Sequence, residues 1–98
     1  DMWEALDDLA ERLRALGAYA PMTTEAMQEK TTIKPAGIQS DGMKMAAELA
    51  KDNTTMAKVL MEALSVTEEA GDEVTTDMFI ERANAHEKYA WMLRSMTK

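Results

Sequence analysis

Asp7 and Glu11 stand four residues apart in "LDDLAERLRALG", and Glu4 continues the row. Four residues is about one helical turn, so on a helix the two carboxylates face the same way. Paired hard oxygen donors suit a cation such as iron, manganese, magnesium or calcium. The same spacing also describes the wet side of an ordinary charged helix, and spacing alone leaves both readings open. A second acidic set, Asp72, Asp77 and Glu81, is spaced by five and four. Asp72 follows Gly71 and reads as a helix N-cap, and acids near a helix start oppose the positive end of its dipole. If several copies brought this helix start together, the ring of carboxylates would also draw in cations.

Other chemistries are poorly supplied. The chain holds one histidine, His86, and the residue three before it is Ala83. The inward-facing Glu-x-x-His pairs of an intra-bundle di-iron site are therefore absent from these residues. His86 itself reads as a surface or half-buried helix residue. There is no cysteine, so no thiolate metal site and no disulfide, which fits a reducing compartment. No serine or threonine sits in a recognisable triad and no glycine-rich phosphate loop occurs. No catalytic residue is assigned.

The charge balance points the same way. Eleven Lys and Arg against eighteen Asp and Glu give a net charge of −7. Such a chain repels a phosphate backbone unless its basic residues cluster. Lys44, Lys51 and Lys58 are spaced by sevens, but Glu48, Asp52 and Glu62 lie among them, as on a mixed solvated face. Trp3 and Trp91 are not interleaved with basic residues. The acidic excess suits cations better than nucleic acid, and DNA binding is not supported by charge. No apolar run approaches the roughly 20 residues that span a bilayer, so no membrane partner is expected.

Ninety-eight residues make one small domain, 1–98. The pattern within it is helical throughout. A first helix reaches to about Leu16, with Trp3, Leu6, Leu9, Ala10, Leu13 and Leu16 as its apolar stripe and Gly17 as its stop. The stripe is already in phase at Trp3, so this helix is expected to begin upstream. "TTEAMQEK" is a short helix capped by Thr23 or Thr24, and "TTIKPAGIQSDG" is a loop broken by Pro35, Gly37 and Gly42. A third helix runs from Ser40 or Asp41 to Ala70, burying Ala46, Leu49, Ala50, Met56, Ala57, Leu60, Ala63 and Leu64. A fourth starts at Asp72 and reaches about Met96. Its expected face is Val74, Met78, Ala85, Tyr89, Met92 and Met96, broadened by Phe79, Ile80 and Leu93. Only Gly71 and Asp72 separate the long helices, which dictates an antiparallel hairpin. The ten methionines are expected to fill a helical core.

These residues resemble the Dps family, the bacterial starvation-induced mini-ferritins. "DDLAERLRALG" followed by "YAP" and "TTEAMQEKTTIK" carries the first part of the likeness. "EEAGDEVTTDMF" followed by "HEKYAWML" resembles that family's last helix, with Asp72, Thr75, Asp77, Lys88 and Trp91 in the expected order. The likeness covers nearly the whole chain. It implies an all-α, ferritin-like four-helix bundle, here partial: the end of the second helix, a short connecting helix and the long hairpin of the last two.

The resemblance also implies a function. Family members bind and oxidise ferrous iron, usually with hydrogen peroxide, and store it as ferric mineral in a hollow twelve-subunit shell. This protects the bacterial cytoplasm against oxidative stress. Iron, as Fe2+ and Fe3+, is the implied metal. Its oxidation site lies between two subunits: one gives histidines from the first helix, the other the D-x-x-x-E carboxylates, matching Asp7 and Glu11. The acidic start of the last helix lines the iron-entry pores, matching Asp72, Asp77 and Glu81. Three departures accompany the match. The first helix with its histidines lies outside these residues, Ala18 replaces a usual second glycine, and Glu81 stands where Asp is common. The expected partner is another copy of the chain, as a two-fold dimer of these 98 residues or a dodecamer of an intact parent. Two other readings remain: a non-catalytic helical self-association module, and a DNA-compacting relative.

Overall fold

The computed structural model describes residues 1–21, 23–33 and 41–96, and every described regular element is an α-helix. The loop residues Pro35 and Gly37 and the C-terminal Lys98 lie outside the described residues. The chain divides into two compact units, Asp1–Thr32 and Ile33–Lys98.

The first unit holds α1, Met2–Ala15, and α2, Thr24–Lys30. Helix α1 stops where the sequence places a glycine. Gly17 adopts φ +93°, a left-handed conformation that costs a residue with a Cβ. Its N–H reaches the Arg14 carbonyl at 3.0 Å, and the N–H of Ala18 reaches the Leu13 carbonyl at 3.0 Å. These are the paired bonds of a Schellman stop. Arg14 reinforces the turn: its guanidinium lies 4.3 Å from the Tyr19 ring centroid and donates to the Ala18 carbonyl at 3.3 Å. Thr23 then caps α2, its hydroxyl accepting from the Ala26 N–H at 3.0 Å. Along α1, Leu9 and Ala10 are half-buried, while Trp3, Leu6, Leu13 and Leu16 are exposed.

The second unit is the hairpin of α3, Gly42–Glu69, and α4, Glu73–Met96. Asp41 caps α3 by accepting from the Met43 N–H at 2.9 Å. A second Schellman stop ends it: Gly71 at φ +74°, with Gly71 N–H to Glu68 O at 3.1 Å and Asp72 N–H to Thr67 O at 2.9 Å. Asp72 immediately caps α4, accepting from the Thr75 N–H at 3.1 Å. One residue thus closes one helix while the next opens another, which leaves only an antiparallel return.

The two helices meet along a seam spaced alternately by four and three. On α3 it runs Ala46, Ala50, Asn53, Ala57, Leu60, Leu64, Thr67; on α4 it runs Thr76, Phe79, Ala83, His86, Ala90, Leu93. Ala46, Ala50, Ala57, Leu60, Ala83 and Ala90 are buried. This is the spacing of a coiled-coil seam, and small side chains let the backbones approach closely.

Two sequence expectations change here. The α4 face built on Val74, Met78, Ala85, Tyr89, Met92 and Met96 lies about one residue out of phase with the true seam, and of the residues expected to broaden it Phe79 and Leu93 lie on the seam while Ile80 is exposed. Val74 and Met92 are exposed, whereas Ala83, His86 and Ala90 are buried. Large apolar residues occupy more than one side of α4, so size alone selects the wrong side. The methionines do not fill the hairpin core either. Met43, Met45, Met61, Met92 and Met96 are all about half exposed, and alanine occupies the seam instead. Leu49, expected inside, is likewise exposed.

Candidate functional site

Helix α1 carries Asp7 and Glu11 in its middle, and both are exposed. Their one-turn separation and the continuous α-helix between them put both carboxylates on one face. Neither is buried in the chain's own core. Their chemistry fits a hard or borderline cation, but two carboxylates fill only part of an iron coordination sphere. Among the described residues, no group of three or more His, Cys, Asp or Glu converges to hold a metal ion. Further ligands would have to come from elsewhere.

The second acidic set is split by its surroundings. Asp72 is half-buried and turned onto its own helix, one carboxylate oxygen accepting from the Thr75 N–H and the other from the Thr75 hydroxyl at 2.5 Å. Asp77 and Glu81 are exposed one turn apart on α4. Asp77 joins two carboxylates the sequence reading passed over, Glu68 and Glu73. With Thr67, Gly71 and Thr76 they line an open groove of about 350 Å³ beside the hairpin turn. Their signal was the turn itself, because the short link of Ala70, Gly71 and Asp72 brings the last acids of α3 against the first acids of α4.

The lone histidine is not a surface residue. His86 is 4% exposed, at the centre of the α3–α4 seam. Its Nδ1 lies 2.8 Å from Asn53 Oδ1. The Asn53 amide nitrogen donates to the Leu49 carbonyl at 2.8 Å. That fixes which end of the amide faces His86: the oxygen accepts, so Nδ1 carries the proton. Burial pushes the imidazole below its ordinary range, and the Arg82 cation one turn earlier adds to the effect. The expectation of a surface or half-buried position failed because helical phase, not residue type, decides which side of α4 faces α3.

No helix among the described residues is long and apolar enough to cross a membrane. The whole chain, residues 1–98, matches the family model described as "Ferritin-like domain". It is 33% identical over 90 residues to general stress protein 20U of Bacillus subtilis, covering 92% of this chain and 62% of that protein. It is 29% identical over 90 residues to DNA protection during starvation protein 2 of Bacillus anthracis, with the same coverage of 92% and 62%. The fold matches the crystal structure of Dps from Staphylococcus aureus with a TM-score of 0.89 and 34% identity, over 94% of this chain and 62% of that one. The chain thus spans less than two thirds of the length of these relatives. With four helices in the expected order, the two glycine stops and a match along its full length, the chain belongs to the ferritin-like family, in its Dps branch.

Proposed function

We propose that this chain contributes the carboxylate half of an iron site in a Dps-type mini-ferritin. Asp7 and Glu11 bind ferrous iron at an interface between subunits, with the remaining ligands, imidazoles among them, supplied by a neighbouring copy. The parent assembly oxidises the iron with hydrogen peroxide as electron acceptor and keeps the ferric product as mineral, protecting the bacterial cytoplasm. Asp72, Asp77 and Glu81 belong to the iron-entry route, with Asp72 also holding the helix start. In this reading residues 1–98 form one partial ferritin-like domain that assembles with copies of itself.

The observation that carries the proposal is the pair of exposed carboxylates on one face of α1, in a chain that matches the ferritin-like model from end to end. Exposure leaves both oxygen sets available to a cation that another subunit completes. Anaerobic ferrous titration of the 98-residue chain tests it. Asp7→Asn and Glu11→Gln should each weaken iron binding about tenfold or more, the scale on which ligand-sphere changes act. Unchanged binding in both variants would overturn the carboxylate assignment.

A second reading, a self-association module without chemistry, draws on the exposed Trp3 and Trp91, 82% and 61% accessible in the single chain. Exposed apolar surface of this kind marks interaction sites. Light scattering that shows assembly, together with iron binding indifferent to Asp7 and Glu11, would favour it. The net charge of −7 weighs against DNA compaction, although several relatives are named for DNA protection.

A further inference from the structure

We propose that His86 and Asn53 form an acid-sensitive latch across the α3–α4 seam: the seam is tight while the imidazole is neutral and weakens when a second proton, on Nε2, places a charge inside it, the Nδ1–H bond to Asn53 being kept in both states. The inference does not depend on the iron reading.

The geometry argues for a device rather than a chance polar contact. The pair stands in the middle of the seam, flanked by the buried Ala46, Ala50, Ala57, Leu60, Ala83 and Ala90, while the seam's other polar pair, Thr67 and Thr76, lies near the turn. A polar pair in mid-seam helps set register, because a one-turn slip of one helix along the other takes each member off its partner and onto apolar neighbours. The contact at 2.8 Å uses the one proton that a neutral imidazole has, and Asn53 is locked in the accepting orientation by its own bond to Leu49. A second proton, on Nε2, would place a full charge at a residue that is 4% exposed.

The surroundings do not welcome that charge. On α4 the groups facing His86 are the Arg82 cation, which opposes it, and the Tyr89 ring, edge-on with centroids 6.1 Å apart. From α3 the contact is the neutral Asn53 amide. The charged positions nearest Asn53 along α3 are the exposed Lys51 and the half-buried Asp52 and Glu48. Neither carboxylate offsets the downward shift, whose causes are burial and then Arg82.

The direction of the pH effect follows by linkage. The folded-state imidazole lies below the ordinary 6.5, so the unfolded chain takes up the proton first. The stability that neutral His86 contributes is present above 6.5. It is lost as pH falls from there toward the folded-state value. Across that window the ratio of folded to unfolded chain should fall by up to about tenfold per pH unit. Most carboxylates titrate lower, near pH 4, so the window is separable from general acid unfolding.

The test is urea unfolding of the 98-residue chain at fixed concentration, from about pH 7.5 to about pH 5. The wild type should lose stability below 6.5, and His86→Leu should flatten that part of the curve. Asn53→Asp should invert it. An aspartate in contact with the ring would stabilise the imidazolium, raise its pKa above the free value, and make stability grow as pH falls through it. Should His86→Leu fail to fold, NMR titration of the wild-type imidazole decides alone: an Nδ1–H tautomer that protonates below 6.5 supports the latch. An imidazole that titrates at or above 6.5, or parallel curves for wild type and His86→Leu, would overturn it.

Discussion

The Thr76 hydroxyl on α4 shares its one proton between the Thr67 hydroxyl on α3 at 2.7 Å and the Asp72 carbonyl of its own helix at 2.8 Å, and Thr67 donates to the Leu64 carbonyl at 3.0 Å. This relay ties the two helices together one turn from the Gly71 bend. Thr76 is 9% exposed, so its hydroxyl has little water to fall back on. Thr76→Val keeps the shape and removes the donor. It should cost about 1–2 kcal/mol, mostly from the Thr67 oxygen left short of a partner. Urea unfolding should show a lower midpoint with an unchanged slope.

Gly71 is the hairpin's second point of dependence. Its φ of +74° is left-handed, and nothing lies within 4 Å of where a Cβ would stand. Gly71→Ala therefore meets no clash, and its cost is backbone strain alone, about 1–2 kcal/mol. Thermal melting should fall by several degrees while helicity at low temperature stays intact. A full loss of helix would mean that the bend, not the seam, holds the hairpin together.

Leu60 is the largest aliphatic side chain buried in the seam, at 7% exposure. Leu60→Ala should destabilise the hairpin by about 2–4 kcal/mol, through lost apolar burial and the cavity left behind. Leu49→Ala, at a position 52% exposed on the same helix, should cost much less in the single chain. Comparing both variants by denaturation at low and high protein concentration also reads out association. If copies pack on the Leu49 side, its cost should rise with concentration.

Asp7 and Glu11 separate binding from folding. Both are exposed on α1, so Asp7→Asn and Glu11→Gln should change unfolding free energy by no more than about 0.5 kcal/mol. Circular-dichroism melts without metal should superimpose on wild type. Adding ferrous iron under anaerobic conditions should raise the wild-type midpoint and leave the double variant nearly unmoved. Equal iron-induced shifts in both would place the binding elsewhere.

Much of this architecture was legible in the chain itself. Gly17 and Gly71 stop helices because a left-handed residue is cheapest without a Cβ. Thr23, Asp41 and Asp72 start them because a short side-chain oxygen can reach an unpaired N–H. Those are local bonds between residues within five positions of one another, so sequence carries them whole. The same holds for the shared face of Asp7 and Glu11, which follows from helical pitch alone.

What only the tertiary structure decided is which side of each long helix faces the other. Helix α4 bears large apolar residues around much of its circumference, so period and size did not identify its buried side. The choice fell to the side carrying Ala83, His86 and Ala90, since small residues on both helices allow the closest approach. That choice carried His86 from an expected surface or half-buried position into contact with Asn53, thirty-three residues away. A pairing of that range depends on the phases of two helices at once, and one hundred degrees of error in either would have separated the two side chains.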